Sequence, residues 1–488
     1  MFGDDDDGVS GMGSVDIDDQ MGEIVACHPG ESLAQAQTRR RANDDSSSSS
    51  STVRNLGTES ILSPGMIDVH THVSQLGRDW EGYQTATLAA SAGGITTIVG
   101  MPLNSLPPTT TLEALELERE AIAGTNSALY VDVGLWGGVV PDNLDTFEAL
   151  LESPHVLGLK AFLAPLPPSA GYQAVSPKQL LHVARRCAAI GTDKPILVHS
   201  ELMTQAECDE KTKAAFANRS ARSYAAHLES RPPQWEQEAV RVVCQAAEHC
   251  RMHVVHLSDA RGCLPLIEQL KATYNKGGDN NHLTQRLTVE TCPHYLMLDN
   301  TMIEDGDTRV KCFPPIRDVE NRDLLWRGLK KGLVDMIASD HSPCEPSMRL
   351  IETGDFQSAW GGLSGLQYQL QATWTEAFAR GCTPWQMAQW WSTKPAQLAG
   401  LARKGRIAPG FQADLCWWDP DFVGAPNSYS EEHHRWKGTT FFAENTTMRG
   451  RVLGTWVRGK LVYDGLRDAH KEPIGMLLEH RQRTTEPN

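Results

Sequence analysis

Six residues of this chain have types and spacings that could do chemistry together. His70 and His72 stand one residue apart in Asp68-Val-His-Thr-His72, and Lys160 sits in Leu157-Gly-Leu-Lys-Ala-Phe162. His199 closes Ile196-Leu-Val-His199, His256 closes Val254-Val-His256, and Asp340 follows Ile337-Ala-Ser339. In extended backbone, alternate residues share a face, so imidazoles at 70 and 72 can clamp one ion. Two further histidines and a carboxylate suit one or two divalent ions, and imidazole with carboxylate favours zinc. Lys160 is the odd member. An ammonium beside metal cations is repelled, and burial beside positive charge lowers its pKa. A neutral amine can add CO2 and become a carbamate, an oxygen ligand able to bridge two metals. A lone histidine at a strand end is ordinarily a hydrogen-bonded structural residue, and a lone lysine ordinarily reaches for the surface. Four histidines in phase with a regular strand count read differently. His294 and His341 read as supporting or structural residues rather than ligands.

Such residues converge only if strands carry them to one mouth. Eight β-branched runs predict strands at 66–70, 95–99, 129–135, 156–162, 195–199, 253–256, 287–292 and 334–340. Stretches of helical period intervene, among them 111–123, 177–190, 234–249 and 321–331. Eight strand–helix units over residues 53–400 predict an α/β fold, a (β/α)8 TIM-like barrel, whose chemistry sits at the C-terminal strand ends. A doubly wound sheet is the rival, but its glycine-rich dinucleotide fingerprint is absent. Residues 401–470 read as turns and short strands, a small β-sandwich-type domain, and 471–488 as a tail.

Residues 1–52 carry eleven acids and three bases, a net −8 and half of the chain's −16, with four consecutive aspartates and six consecutive serines. This composition predicts a disordered acidic, Ser-rich tail whose removal leaves stability unchanged. The acidic balance argues against nucleic acid, and no apolar run reaches a membrane span. Eleven scattered cysteines without a CxxC pair, and no targeting signal, point to reduced thiols in a cytoplasmic setting.

Together, Pro64-Gly-Met-Ile-Asp-Val-His-Thr-His72, Lys160, His199, His256 and Asp340 resemble the amidohydrolase superfamily in its cyclic amidohydrolase branch. Local motifs are similar to those of the allantoinase family: Lys311-Cys-Phe-Pro-Pro-Ile-Arg317 and, narrower than the paired histidines, Trp80-Glu-Gly-Tyr83, Met101-Pro-Leu-Asn104 and Ser339-Asp-His-Ser-Pro-Cys344. The resemblance spans roughly residues 57–465, and because that family usually opens with β-strands that complete the small domain, it implies that the N-terminal half of that domain is missing or replaced here by the acidic segment, leaving open sheet edges.

The resemblance implies two divalent metal ions, usually zinc. His70 and His72 would hold one and His199 and His256 the other, with carbamylated Lys160 bridging and Asp340 completing the first. It also implies a metal-bridging hydroxide as nucleophile, Asp340 as proton shuttle, and hydrolysis of the hydantoin ring of allantoin to allantoate. Metal ions lower the pKa of bound water and polarise a carbonyl. Dihydroorotases carry an arginine two residues after the second histidine to hold a substrate carboxylate; here that residue is Ser74. By the same analogy Ser74, Asn104 and Ser342 are candidates for hydrogen bonds to the ring and ureido group, and a homotetramer is the family's assembly. Phe313 stands where relatives often carry a small polar residue. A hydantoinase or dihydropyrimidinase acting on another ring, or a non-catalytic relative, are the alternatives.

Overall fold

The computed structural model describes residues 13–18, 20–44, 55–57, 59–124, 128–275, 286–443 and 447–480. Near the N-terminus a hairpin pairs β1 (Gly13–Asp18) with β2 (Glu23–Pro29), and β3 (Ile61–Pro64) follows. Eight strands then build one parallel sheet: β4 (Met66–Thr71), β5 (Ile95–Gly100), β6 (Asp132–Gly138), β7 (Val156–Phe162), β8 (Ile196–His199), β9 (Met252–Val254), β10 (Leu287–Thr291) and β11 (Met336–Ile337). Each pairs with its neighbours in sequence, and a parallel bridge from Thr71 to His341 brings the last strand's end back to β4. This is the expected barrel. Its strands read as near-continuous apolar runs because both faces are covered; every residue of β4, β5, β6, β7 and β8 is buried.

The helices follow local signals. Pro177–Ile190 starts on a Ser176–Gln179 capping box and stops at Gly191, whose φ of 67° few side chains tolerate. Pro233–Ala246 buries Trp235, Ala239, Val240, Val243 and Ala246 at helical spacing. Two strands depart furthest from expectation, and β9 ends two residues early, leaving His256 just beyond it. β6 runs three residues later than the run 129–135, because Gly137 and Gly138 extend it. A Cβ at Gly138 would stand 2.7 Å from the Tyr172 hydroxyl, so the glycine marks a close approach rather than a turn. β11 stops at Ile337 because the chain beyond it turns into the barrel mouth, where Ser339 N donates to Asp68 Oδ1 at 3.1 Å.

The small domain is a five-stranded antiparallel sheet in which β12 (Leu415–Gly424), β13 (Met448–Val457), β14 (Lys460–Asp464) and β15 (Ala469–His470) are completed by β3 at the edge of β12. Three expectations need correction here. The segment 1–52 is not all tail, and the N-terminal half of the small domain is not missing. Ile24 of β2 is buried against Ile407, Ala413 and Leu415, with Val15, Ile17 and Cys27 packed around it. Backbone bonds seal the contact, Ile24 N to Phe411 O at 2.8 Å and Ala413 N to Gly22 O at 2.9 Å. The helix Leu33–Asp44 is tied back by Arg39, which grips Asp16 and Glu31. Residues 1–12, 19 and 45–52 of that segment lie outside the described residues. Nor are residues 471–480 a free tail: Gly475 N and Leu478 N donate to Leu129 O and Val133 O, both at 2.7 Å.

A buried ionic cluster locks barrel to sheet. Lys404 Nζ lies 2.7 Å from Asp132 and 2.5 Å from Asp414, and Arg458 also grips Asp132. No two cysteines are joined in a disulfide among the described residues. Among the described residues no helix is long and apolar enough to cross a membrane.

Candidate functional site

The six chemistry-bearing residues meet at the C-terminal ends of the barrel strands. His70 lies on β4 and His72 just past it, Lys160 lies on β7, His199 ends β8, His256 follows β9, and Asp340 lies beyond β11. His70 Nε2 is 3.1 Å and His72 Nε2 3.4 Å from Asp340 Oδ1. Among the described residues, these three form the one cluster whose ligand atoms all fall within 4.8 Å of each other. A second pair stands beside it: His199 Nδ1 and His256 Nε2 face each other at 2.9 Å, and the rings of His70 and His256 are 5.4 Å apart. All six residues are buried.

Lys160 is fully buried, its Nζ has no hydrogen-bond partner, and it sits 4.8 Å over the Phe162 ring, which stacks on His199. Burial pushes its pKa down to about 7, although the charges of Glu290 and Asp340 oppose the fall. The lysine is therefore poised between ammonium and free amine at neutral pH. His70 moves the other way. Burial would lower it, but Asp340 and Glu290 together raise it to about 9. Burial opposes ionisation of Asp340 too, and the facing histidines overcome it, holding the carboxyl well below its ordinary range.

The backbone here is strained where the chemistry sits. Ser74, Asn104, His256 and Asp340 all have positive φ, between 40° and 67°. Left-handed conformations at non-glycine residues persist only where surrounding contacts over-determine them.

Of the three candidate substrate contacts, two already have partners: Asn104 Nδ2 lies 3.4 Å from His72 Nδ1, and Ser342 Oγ lies 3.4 Å from Asp340 Oδ1. The hydroxyl of Ser74 is buried and without a partner. His294 and His341 stay off the cluster. His341 Nδ1 accepts from Gly365 N at 3.1 Å. Phe313 packs against the Arg231 guanidinium at 4.5 Å and against His227. A cavity of about 660 Å³ opens between the loops after β7 and β8, lined by residues including Leu163, Met203 and Trp235 but by none of the six.

Three buried carboxylates escaped the reading of the sequence. Glu290 of β10 holds His70 Nδ1 at 2.5 Å, His253 Nε2 at 2.9 Å and the His256 amide at 3.2 Å. Burial would raise its pKa, but the charge of His70 and hydrogen bonds from His253 and His70 bring it to about 2. Glu201 holds His199 Nε2 at 3.0 Å and is itself held by Arg231 at 2.8 Å. Asp68 receives the amides of His70 and Ser339, each at 3.1 Å. Each carboxylate aims a histidine or pins a loop.

The donor set fits divalent cations. Burying four imidazoles with one carboxylate and an unpartnered amine is costly unless something neutral or positive satisfies them.

A protein-family model described as the amidohydrolase family matches residues 61–462. The chain is 41% identical over 421 residues to an allantoinase of Arabidopsis thaliana, covering 83% of this chain and 78% of the relative. It is 36% identical over 476 residues, 96% of each chain, to an allantoinase of Salmonella paratyphi B. Among solved structures, it is similar to an L-hydantoinase (dihydropyrimidinase) from Arthrobacter aurescens. There the TM-score is 0.77 at 27% identity, over 93% of each chain.

Proposed function

Because the chain belongs to the amidohydrolase family, we propose that it is a metal-dependent cyclic amide hydrolase that opens the hydantoin ring of allantoin to give allantoate. The observation that carries the reading is the buried convergence of His70, His72 and Asp340 beside His199, His256 and the unpartnered Lys160. It stands in a chain 41% identical to an allantoinase over most of its length.

In this reading His70, His72 and Asp340 would hold one divalent ion, His199 and His256 would hold a second, and Lys160, once carbamylated, would add an oxygen donor to the set. Zinc suits this donor set. The ions, when bound, lower the pKa of water and polarise the ring carbonyl. The protein's own residues do the rest. Lys160, held near 7, presents the neutral amine that carbamate formation needs. Glu290 and Glu201 fix the orientation of His70 and His199. Asp340 Oδ1 lies within reach of the cluster and takes the proton released as water's oxygen bonds to the ring carbonyl carbon. It returns that proton to the ring nitrogen as the C–N bond breaks. One water is consumed, leaving a ureido N–H and a carboxyl group, which releases water's second proton to solvent as it becomes the carboxylate. Ser74, whose hydroxyl has no partner, is the best placed of the three candidates to meet the substrate. Asn104 and Ser342 steady His72 and Asp340.

The test is ring opening of allantoin by purified protein expressed with zinc and bicarbonate, with hydantoin and dihydroorotate in parallel. Allantoate well above the other two products is expected. Turnover of hydantoin alone would keep the chemistry and discard the substrate; turnover of none would overturn the proposal.

A further inference from the structure

The catalytic barrel is not closed off from the small domain. Residues 430–443, between β12 and β13, leave the small sheet and cross to the barrel mouth. The ring of His434 stacks on that of His341, centroids 5.3 Å apart and planes 23° from parallel. Gln367 N donates to His434 Nε2 at 3.4 Å, and Tyr368 meets its ring edge-on. The next residue reaches the loop after β4: Arg435 N donates to Glu81 Oε1 at 3.0 Å, and Trp436 Nε1 donates to Asp79 O at 3.1 Å. Glu81 Oε2 in turn faces His341 Nε2 at 3.6 Å. His434, His341 and Glu81 are all buried, at 2%, 0% and 2% exposure.

His341 is the residue after Asp340, and its backbone is pinned on both sides. Its amide donates to Ser339 Oγ at 2.9 Å, and its carbonyl accepts from His72 N at 2.8 Å. The first of those bonds spans Asp340, which has a φ of 49°. A non-glycine residue keeps that conformation only if its neighbours cannot relax. The His341 ring is the handle on that constraint. One ring edge is fixed by Gly365 N, the other faces Glu81, and one face is covered by His434. Since Nδ1 accepts from an amide, the ring proton sits on Nε2, toward Glu81.

We propose that His434, supplied by the small domain, is a positioning residue that holds Asp340 in its productive conformation by stacking on His341. The proposal rests on the reading of Asp340 as the proton carrier. It makes the small domain part of the machinery for turnover, although none of its residues reaches the metal-ligand cluster.

The experiment compares His434→Phe, which keeps an aromatic face, with His434→Leu, which keeps bulk alone, in zinc-loaded full-length protein. kcat, KM, zinc content and melting temperature are measured together, with Asp340→Asn as control. His434→Leu should lose on the order of tenfold in kcat, because small misplacements of a reacting group are costly. Its KM should stay within about twofold and its zinc content should match the parent. His434→Phe should recover most of the lost turnover. Equal kcat in the parent and both variants would overturn the proposal. So would a loss that is the same in Phe and Leu, or one that tracks zinc or folded fraction. If instead Asp340→Asn retains turnover, it is the role of Asp340 that fails.

Discussion

Glu290 offers the sharpest test of how the site is built. Its carboxylate accepts three hydrogen bonds, from His70 Nδ1, His253 Nε2 and the His256 amide. Glu290→Gln keeps the shape but supplies one acceptor oxygen and one NH2. The least costly orientation leaves the amide oxygen on His70 and His256. The NH2 then donates to His253 Nε2, and His253 moves its proton to Nδ1, where Thr288 Oγ1 at 2.8 Å can accept it. Geometry survives and the negative charge is lost. Removing an outer carboxylate behind a metal-binding histidine costs about 10–100-fold in metal affinity. With the hydrogen bonds kept, the loss should be about tenfold, roughly 1.4 kcal/mol. Glu290→Ala, which strands three buried donors, should lie at the upper end.

The sign depends on pH. His70 is held at about 9 partly by Glu290, so below that pH a metal must displace its proton. Removing the carboxylate weakens His70 for metal and proton alike. The parent's advantage should therefore be fullest near pH 9 and shrink as the pH falls toward 7. Zinc affinity measured against a competing chromophoric chelator at pH 9, 8 and 7, with urea unfolding as the control for fold, reads this directly. Equal affinity of parent and Glu290→Gln at pH 9, or a gap that does not change with pH, would refute the reasoning.

Other outcomes follow from the same geometry. Lys160→Ala should lose zinc and turnover together, with partial rescue by acetate or propionate; full activity without added acid would remove the bridging role. Reactivation of metal-stripped protein by bicarbonate and zinc should quicken as pH rises through 7. A lysine at about 7 is half neutral there, against roughly 4 in 10,000 for an ordinary lysine; a rate flat between pH 6 and 8 would contradict the depressed amine. Lys404→Met leaves Asp132 and Asp414 facing each other in the interior and should cost about 3–5 kcal/mol in urea unfolding. Ile24→Ala should cost about 2 kcal/mol, at the low end for a buried isoleucine because its hairpin neighbours are only half-buried. A variant as stable as the parent would restore the segment to the status of a dispensable tail.

The barrel was legible because its signal is local and repeated. Runs such as Ile95-Thr-Thr-Ile-Val99 are β-branched and buried on both faces, so neither composition nor period misleads. The hairpin was hidden by its surroundings. In Gly13-Ser-Val-Asp-Ile-Asp18, Val15 and Ile17 alternate with Asp16 and Asp18, the pattern of a strand with one wet face. Counting charge over 52 residues averaged that pattern with four aspartates and six serines that belong to no strand.

The missed carboxylates were legible by the period already applied to His70 and His72. Two-residue alternation puts Asp68 on the face of His70 in β4, and Thr288 on the face of Glu290 in β10. A carboxylate inside an apolar barrel strand cannot stay there unpaired, so Glu290 in Leu287-Thr-Val-Glu-Thr291 already announced a buried cationic or hydrogen-donating partner. What the strand could not say is which partner, because His70 lies 220 residues away. The same limit holds more strongly for His434. It follows His433 in a segment between two strands of another domain, with no spacing that relates it to Asp340. Only the docking of sheet on barrel, sealed by Lys404 and Arg458 at one end, delivers that ring to His341 at the other. Residues that bind an ion must satisfy a chemistry that a motif can record. Residues that hold those ligands still need only fill the right space from whichever part of the chain arrives there.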